Sequence, residues 1–376
     1  MVVLNVHLDN LLLFRDFNLC LAYPKKIVNS TIEHEHLQDR PNFRYRKLIV
    51  LMGANATGKT ALGKTLMSIF NFIEKREASY IFPIIDNKTR PASFSIDLAF
   101  ADHIMYRIAA HISPKDNINE EYSGDDISVS IKQVNIRSND SYETCSARLE
   151  ENPILRECHY IQAFETLPHL TWAFEYPYAS EGKQRAADSV NPHLFADILK
   201  KSLKALDPRI IDVSVSKDMP NSFVISYPNH KVLIKDNRVI EEEKLSSGTK
   251  EIIGVAQLIT CMKLAISDFF YCDEKFSHVH SEMEKSFLSV MIELLRPNQQ
   301  LFFTTHNPDI LDMNLPKHSF AFLRRDDYDV YSVSCVFASD YLKKSTDSLR
   351  NAVENDLFSS APRTEDVLRL ADHPVR

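Results

Sequence analysis

Leu48-Ile49-Val50-Leu51-Met52-Gly53-Ala54-Asn55-Ala56-Thr57-Gly58-Lys59-Thr60 is an apolar run that breaks into a turn bounded by two glycines. The segment Gly53–Thr60 fits G-x-x-x-x-G-K-[ST] without a mismatch. The five residues before it read as a buried strand, and Lys59 to about Arg76 has helical periodicity. This strand–loop–helix context turns successive backbone N–H groups toward an anion at a helix N-terminus. Lys59 is then placed to reach the β- and γ-phosphates, and Thr60 to offer its hydroxyl to Mg²⁺. Gly53, Ala54, Asn55, Ala56, Thr57, Gly58, Lys59, Thr60 and Ala61 are therefore the expected contacts of ATP or GTP. The chain has only 7 glycines in 376 residues, and two of them occupy the obligatory places of this pattern.

Further along, two apolar strands end in polar groups. Phe269-Phe270-Tyr271-Cys272 runs into Asp273-Glu274. Beside a P-loop, the C-terminal edge of a strand is where a magnesium-holding aspartate belongs. Asp273 is expected to hold Mg²⁺ and Glu274 to act as general base toward the attacking water. Many strands end in acids, so the order of motifs carries this assignment rather than the dipeptide. Leu301-Phe302-Phe303-Thr304-Thr305 ends in His306, which is expected to donate to the γ-phosphate or orient the water. Leu245-Ser246-Ser247-Gly248-Thr249-Lys250-Glu251 opens a helix. A plain serine N-cap accounts for it in isolation. With a P-loop upstream, Ser246, Ser247, Gly248 and Thr249 become an anion site, expected to serve a nucleotide held by a second copy of the chain.

The remaining pattern supports an α/β chain. Residues 2–8 and 11–22 suggest two short strands of a β-layer, and 23–46 a loop or small insertion. Phe94–Phe100 and Ile104–Ile112 read as an antiparallel pair. Asp116–Asp126 is an acidic surface segment. Residues 127–190 are mixed, and His193–Leu206 is helical. Asp212–Ile240 holds short strands with turns at Tyr227–His230 and Asp236-Asn237. A helix from about Gly248 to Ile266 precedes the acid-ending strand. Another begins near Ser281, where Ser281-x-x-Glu284 fits a capping box. Gln300–Thr304 and Phe320–Leu323 are the last strands. Strands alternating with helices imply a largely parallel sheet.

Composition narrows the partners. Net charge is −7, apolar content 44% and charged content 25%, ordinary for a soluble chain and without bulk support for nucleic-acid binding. Arg40, Arg44, Arg46 and Lys47, interleaved with Phe43 and Tyr45, form a local basic cluster with two readings, phosphate contact or the lead-in to a strand. No apolar run reaches the roughly 20 residues of a membrane span. Six scattered cysteines without C-x-x-C argue for reduced thiols and a cytoplasmic location. His34-x-His36 and Cys158-His159 lack further ligands at sensible spacing for a metal site.

P-loop, Leu-Ser-Ser-Gly-Thr, apolar-Asp-Glu and apolar-Thr-Thr-His, in this order, resemble an ABC-type ATPase head. More narrowly the chain is similar to the SMC/RecF/OLD-like group, and within it to compact stand-alone ATPases of bacterial anti-phage and abortive-infection operons. Gly53–Thr60, Ser246–Lys250, and Asp273-Glu274 followed by Ser277 and His280 carry this match. The resemblance implies a P-loop NTPase fold with a mainly parallel sheet, an antiparallel β-layer and an inserted α+β region. Residues 1–112 and 232–376 would form the head, and 113–231 an insertion suited to partner binding. It implies ATP and Mg²⁺, ATP hydrolysis, and a head-to-tail dimer in which Ser246–Thr249 of one head meets the P-loop nucleotide of the other. The expected role is sensor or regulator of a separately encoded effector such as a nuclease. A RecF-like DNA-repair ATPase and an ATP-dependent scaffold with little turnover are the alternatives. The chain departs from the group at Asn10–Phe14, where basic and serine side chains are missing, and its Q-loop glutamine is unassigned between Gln133 and Gln162. There is no heptad tract for an SMC arm, and too little chain after His306 for a fused Toprim nuclease.

Overall fold

The protein is described by a computed structural model over residues 1–152, 156–176, 191–235, 238–325, 332–344, 346–359 and 369. All five residues of β5 (Leu48–Met52) are buried, so this strand has no solvent face. It lies in the middle of a six-stranded sheet, where helices cover both faces, as a continuous apolar run requires. The strand order is β10 (Trp172–Glu175), β15 (Phe269–Asp273), β16 (Gln300–Thr304), β5, β17 (Phe320–Arg325) and β18 (Val333–Phe337). The first five are parallel and β18 runs antiparallel to β17. Sequence order and spatial order differ, so the C-terminal ends of β5, β16 and β15 stand side by side.

A second, antiparallel six-stranded sheet has the order β2 (Phe17–Cys20), β1 (Val2–Asp9), β6 (Ala92–Ala99), β7 (Ile104–Ile112), β8 (Ile127–Asn135), β9 (Arg156–Cys158). Helix α1 (Lys59–Lys75) fills the space between the sheets. Its Leu62, Leu66, Ile69, Phe70 and Phe72 share one core with Val6, Phe94 and Ile108 of the antiparallel sheet and with Ile49, Leu51, Tyr271 and Phe302 of the parallel one. Helix α2 (Tyr142–Glu151) buries Cys145 and Leu149 in a smaller core with Val134 and Ile136, and α3 (Tyr160–Phe164) packs on β8. The other face of the parallel sheet, carrying Leu48, Val50, Phe270 and Phe303, is covered by α4 (Pro192–Leu206), α5 (Ser247–Leu264) and α6 (Ser281–Leu294). The alternation of β5 between two cores is the period of a strand buried on both faces. A four-stranded sheet, β11 (Asp212–Val215), β12 (Ser222–Ser226), β13 (Lys231–Lys235) and β14 (Arg238–Val239), turns Val213, Phe223, Ile225, Val232 and Ile234 into that same second core.

Three expectations need amendment. The range 113–231 is not set apart from the sheets: β8 pairs with β7 along its whole length, and β10 is an edge strand of the parallel sheet. Residues 23–46 contain a hairpin, β3 (His36–Leu37) with β4 (Arg40–Arg44). The basic cluster turns largely inward. Arg46 donates to the carbonyls of Cys20 and Ala22, and its guanidinium lies 3.6 Å from the Phe337 ring centroid. Lys47 is buried and donates to the carbonyls of Glu33 and Leu295 at 2.8 and 3.0 Å; burial brings its ammonium pKa down to about 8. Arg40 donates to the Ile136 carbonyl and Arg44 to the Asn42 side chain. Two of the four charges are thus spent inside the fold rather than facing a phosphate. The turn expected at Asp236-Asn237 lies outside the described residues.

Candidate nucleotide site

The turn after β5 needs its glycines. Gly53 has φ 150° and Gly58 φ 111°. A Cβ on Gly53 would stand 2.6 Å from the Leu323 carbonyl oxygen of β17. At Gly58 it would stand 3.0 Å from Leu13. The divergent Asn10–Phe14 run therefore packs against the P-loop, through apolar side chains. Asn55 and Ala56 are exposed at the tip of the turn, Ala56 with φ 62°. Thr57 Oγ1 donates to the Ala54 carbonyl at 2.8 Å. Ala61 is half-buried in the first turn of α1.

Lys59 Nζ donates to the carbonyls of Gly53 and Ala54 at 2.9 and 3.2 Å and lies 3.4 Å from Glu274 Oε1. Burial pulls the Lys59 ammonium pKa down, and Glu274 opposes the shift. The backbone carbonyl of Lys59 accepts from the Tyr271 hydroxyl at 2.5 Å. The Tyr271 ring fills the space where a Cβ on Gly63 would fall, 2.7 Å away.

β15 and β16 deliver the acids and the histidine. Asp273 is fully buried, and its two oxygens accept from Thr60 Oγ1 and Thr304 Oγ1, both at 2.6 Å. Burial raises its pKa. Thr304 Oγ1 in turn accepts from the Glu274 N–H at 3.0 Å. Glu274 has φ 45°, an uncommon conformation for a non-glycine residue. Its Oε1 lies 2.9 Å from His306 Nε2. The His306 hydrogen bond, with Lys59 adding its charge, holds the Glu274 carboxyl below the usual range. P-loop, Asp273, Glu274 and His306 thus meet at one end of three adjacent strands.

Ser246–Thr249 form a separate turn. Ser246 caps α5, its Oγ accepting from the Thr249 N–H at 3.2 Å and lying 2.7 Å from Thr249 Oγ1. Ser246 and Ser247 are exposed, Gly248 and Thr249 buried. Among the described residues no hydrogen bond of this turn reaches the P-loop. It is tied instead to the segment after Glu274. A Cβ on Gly248 would lie 2.7 Å from the His278 carbonyl oxygen, and Glu251 accepts from His278 Nδ1 at 2.7 Å.

Several features escaped sequence reasoning. Thr304 had no motif of its own to mark it. Lys275, buried directly beside Glu274, donates to the Tyr176 carbonyl at 2.9 Å and lies 3.8 Å from the half-buried Glu175 of the edge strand β10. The capping box at Ser281 does not form. His280 is the N-cap, its Nδ1 accepting from the Glu282 N–H, while Ser281 Oγ donates to Asp309. Gln133 sits in β8 opposite Tyr106 and Gln162 on α3, both away from the ends of the central strands. His36 Nδ1 lies 3.1 Å from the Leu37 carbonyl, and the Cys158 side chain lies outside the described residues. Among the described residues no group of three or more His, Cys, Asp or Glu side chains is placed to hold a metal ion by itself. The hard oxygen donors of Asp273 and Thr60 suit a Mg²⁺ that keeps most of its coordination for water and phosphate. Held there by Asp273 and Thr60, such an ion would supply positive charge against the phosphates.

A P-loop after β5, acids at the end of β15, a histidine after the intervening β16, and an antiparallel layer across α1 give the chain an SMC/RecF-like P-loop head architecture. Residues 48–312 match the family described as "AAA domain, putative AbiEii toxin, Type IV TA system", and the chain belongs to it. No curated protein matches the chain. Among solved structures it is similar to an SMC head bound to the C-winged helix domain of ScpA (TM-score 0.51, 12% identity, 94% of this chain and 100% of that one). It is also similar to the SMC head domain with an extended coiled coil bound to the C-terminal domain of ScpA, derived from Pyrococcus furiosus (TM-score 0.50, 10% identity, 96% and 100%). At these identities the likeness is one of fold. No helix among the described residues is long and apolar enough to cross a membrane.

Proposed function

We propose that this chain binds ATP with Mg²⁺ and hydrolyses it, Lys59 and the P-loop amides holding the phosphates, Thr60 and Asp273 the metal, and Glu274 with His306 the attacking water. The convergence of Lys59, Glu274 and His306 within 3.4 Å contacts, beside the Thr60–Asp273 pair, carries this reading. The lowered pKa keeps Glu274 ionised but makes it a weaker base, so its placement beside the His306 imidazole, not its basicity, supports the general-base role. The exposed Ser246–Ser247 turn at the N-terminus of α5 suits a γ-phosphate presented by a second head, giving a head-to-tail dimer. In this reading nucleotide state sets the pairing of two heads, and the pairing signals to a separately encoded effector in an anti-phage response. The family's toxin–antitoxin description supports the defence setting, and the inward-facing Arg46 and Lys47 weigh against a DNA-repair role. Within 113–231, β8, β9 and β10 belong to the two large sheets, so the partner-facing part is assigned to β11 and β12, in the small sheet they form with β13 and β14.

The test is purification of the tagged Glu274→Gln protein from its native gene neighbourhood with Mg-ATP, followed by mass measurement of the complex. An ATP-dependent complex with a second gene product is expected. A homodimer alone, with turnover stimulated by duplex DNA at low salt, would replace the effector reading by the DNA-linked one.

A further inference from the structure

His306 lies two residues past the end of β16, on a turn, so something must fix it. The two residues that flank it point their side chains to a common partner. Thr305 Oγ1 donates to Glu284 Oε1 at 2.6 Å, and Asn307 Nδ2 donates to Glu284 Oε2 at 2.7 Å. The loop closes on itself through the Asn307 N–H, which donates to Thr305 Oγ1 at 2.9 Å. Asn307 Nδ2 also reaches Ser281 Oγ at 2.9 Å, and Ser281 Oγ donates to Asp309 Oδ2 at 2.7 Å. Glu284 comes from α6, an element separate from the His306 turn, and is 4% exposed.

A buried carboxylate is a costly way to fill space, because its desolvation is offset only by the hydrogen bonds it accepts. An apolar side chain would cover the same ground. What the carboxylate does that an apolar group cannot is grip two donors at fixed separation, one on each side of His306. We propose that Glu284 is a positioning residue for ATP hydrolysis: by clamping Thr305 and Asn307 it sets the orientation of the His306 imidazole toward Glu274. This rests on the reading of the site as an ATPase. Glu284 is buried behind the His306 turn and acts only through His306.

The experiment compares ATP turnover and the imidazole proton signals of His306, assigned by their loss in His306→Gln. Glu284→Ala is expected to lower kcat by roughly 10- to 100-fold, as a misplaced catalytic group does, with the KM for ATP within about twofold. Glu284→Gln, which keeps the volume and the bond to Thr305 but cannot accept from Asn307, is expected to recover part of that loss. In a His306→Ala background Glu284→Ala is expected to add no further loss. The His306 signals shift in Glu284→Ala protein and much less in Glu284→Gln. Losses that add in the double variant, or wild-type His306 signals in Glu284→Ala protein, overturn the proposal. If wild-type protein hydrolyses no ATP, the ATPase reading fails, while the His306 signals still decide whether Glu284 orients the ring. Should Glu284→Ala fail to fold, Asn307→Ala, which removes one of the two gripped donors, replaces it as the variant expected to lower kcat and shift the His306 signals.

Discussion

Replacing Gly63 by alanine sets two physical terms against each other at one atom. Gly63 lies inside α1, where alanine is favoured over glycine by about 1 kcal/mol. Helix propensity alone therefore expects a more stable protein. The new Cβ would stand 2.7 and 2.9 Å from two carbons of the Tyr271 ring. That ring is fully buried, its centroid 5.4 Å from Phe302 and 5.6 Å from Phe174, and its hydroxyl bonds the Lys59 carbonyl at 2.5 Å. It has no free direction of retreat. Overpacking of this kind costs about 1–3 kcal/mol. Loss of the hydroxyl bond adds about 1 kcal/mol. Set against the propensity gain, Gly63→Ala is expected to destabilise by about 1–3 kcal/mol, read as a lower midpoint in urea denaturation. In a Tyr271→Leu background the obstacle is gone, and the same substitution is expected to stabilise. The two backgrounds should differ by about 2 kcal/mol or more, a coupling well above that of independent sites. A neutral or stabilising Gly63→Ala in the otherwise wild-type chain would refute the argument, because it would mean that the ring yields without cost.

Other expectations concern the site directly. Lys59→Ala should abolish nucleotide binding in equilibrium dialysis, and retained affinity would reject the P-loop assignment. Glu274→Gln should keep ATP binding while lowering turnover by about 10²- to 10⁴-fold, the range of a lost general base. Asp273→Asn should raise the unfolding midpoint of the ligand-free protein at pH 7 while removing Mg²⁺-dependent ATP binding. The sign follows from burial. Asp273's folded pKa is raised, so above the unfolded value the folded state binds more protons, and ionisation lowers stability as pH rises through the folded pKa. The gap between wild type and variant should therefore close as pH falls toward the ordinary carboxylate range; a gap that widens would show that the carboxylate is not penalised. Gly248→Ala should disturb the Ser246–Thr249 turn, because its Cβ meets the His278 backbone at 2.7 Å. The measurement is ATP-dependent dimerisation by light scattering, expected to weaken while monomer ATP binding stays.

The parts of the site that lie on doubly buried parallel strands were legible in the sequence. β5, β15 and β16 each carry an apolar run that leads into functional residues, because both faces of such a strand are covered. β10 was not legible. Its four residues sit at the edge of the sheet, and their place is set by pairing with β15, across more than ninety residues of chain. The same long separation leaves the Glu175–Lys275 pair without a signal in the sequence. Arg46 and Lys47 were open to two readings, because composition shows the charge but not the backbone carbonyls and the aromatic face that receive it. His280 was passed over as a helix cap because Ser281, a better N-cap by type, stood next to it.

The strand order of the parallel sheet also bears on how the protein is made. β5 has as its neighbours β16 and β17, and the nearer of them in sequence begins 248 residues after β5 ends (300 − 52). At ribosomal rates of about 5–20 residues per second, that interval is roughly 12 to 50 seconds. Throughout it, five consecutive apolar residues of β5 have no partner on either side, and pairing at such separation is slow. The nucleotide cradle emerges early in synthesis, yet the groups that complete it emerge late. ATP would then act on the nascent chain as a late fastener rather than an early nucleus, and chaperone dependence during synthesis should track exposure of Leu48–Met52 more than any other segment of the parallel sheet.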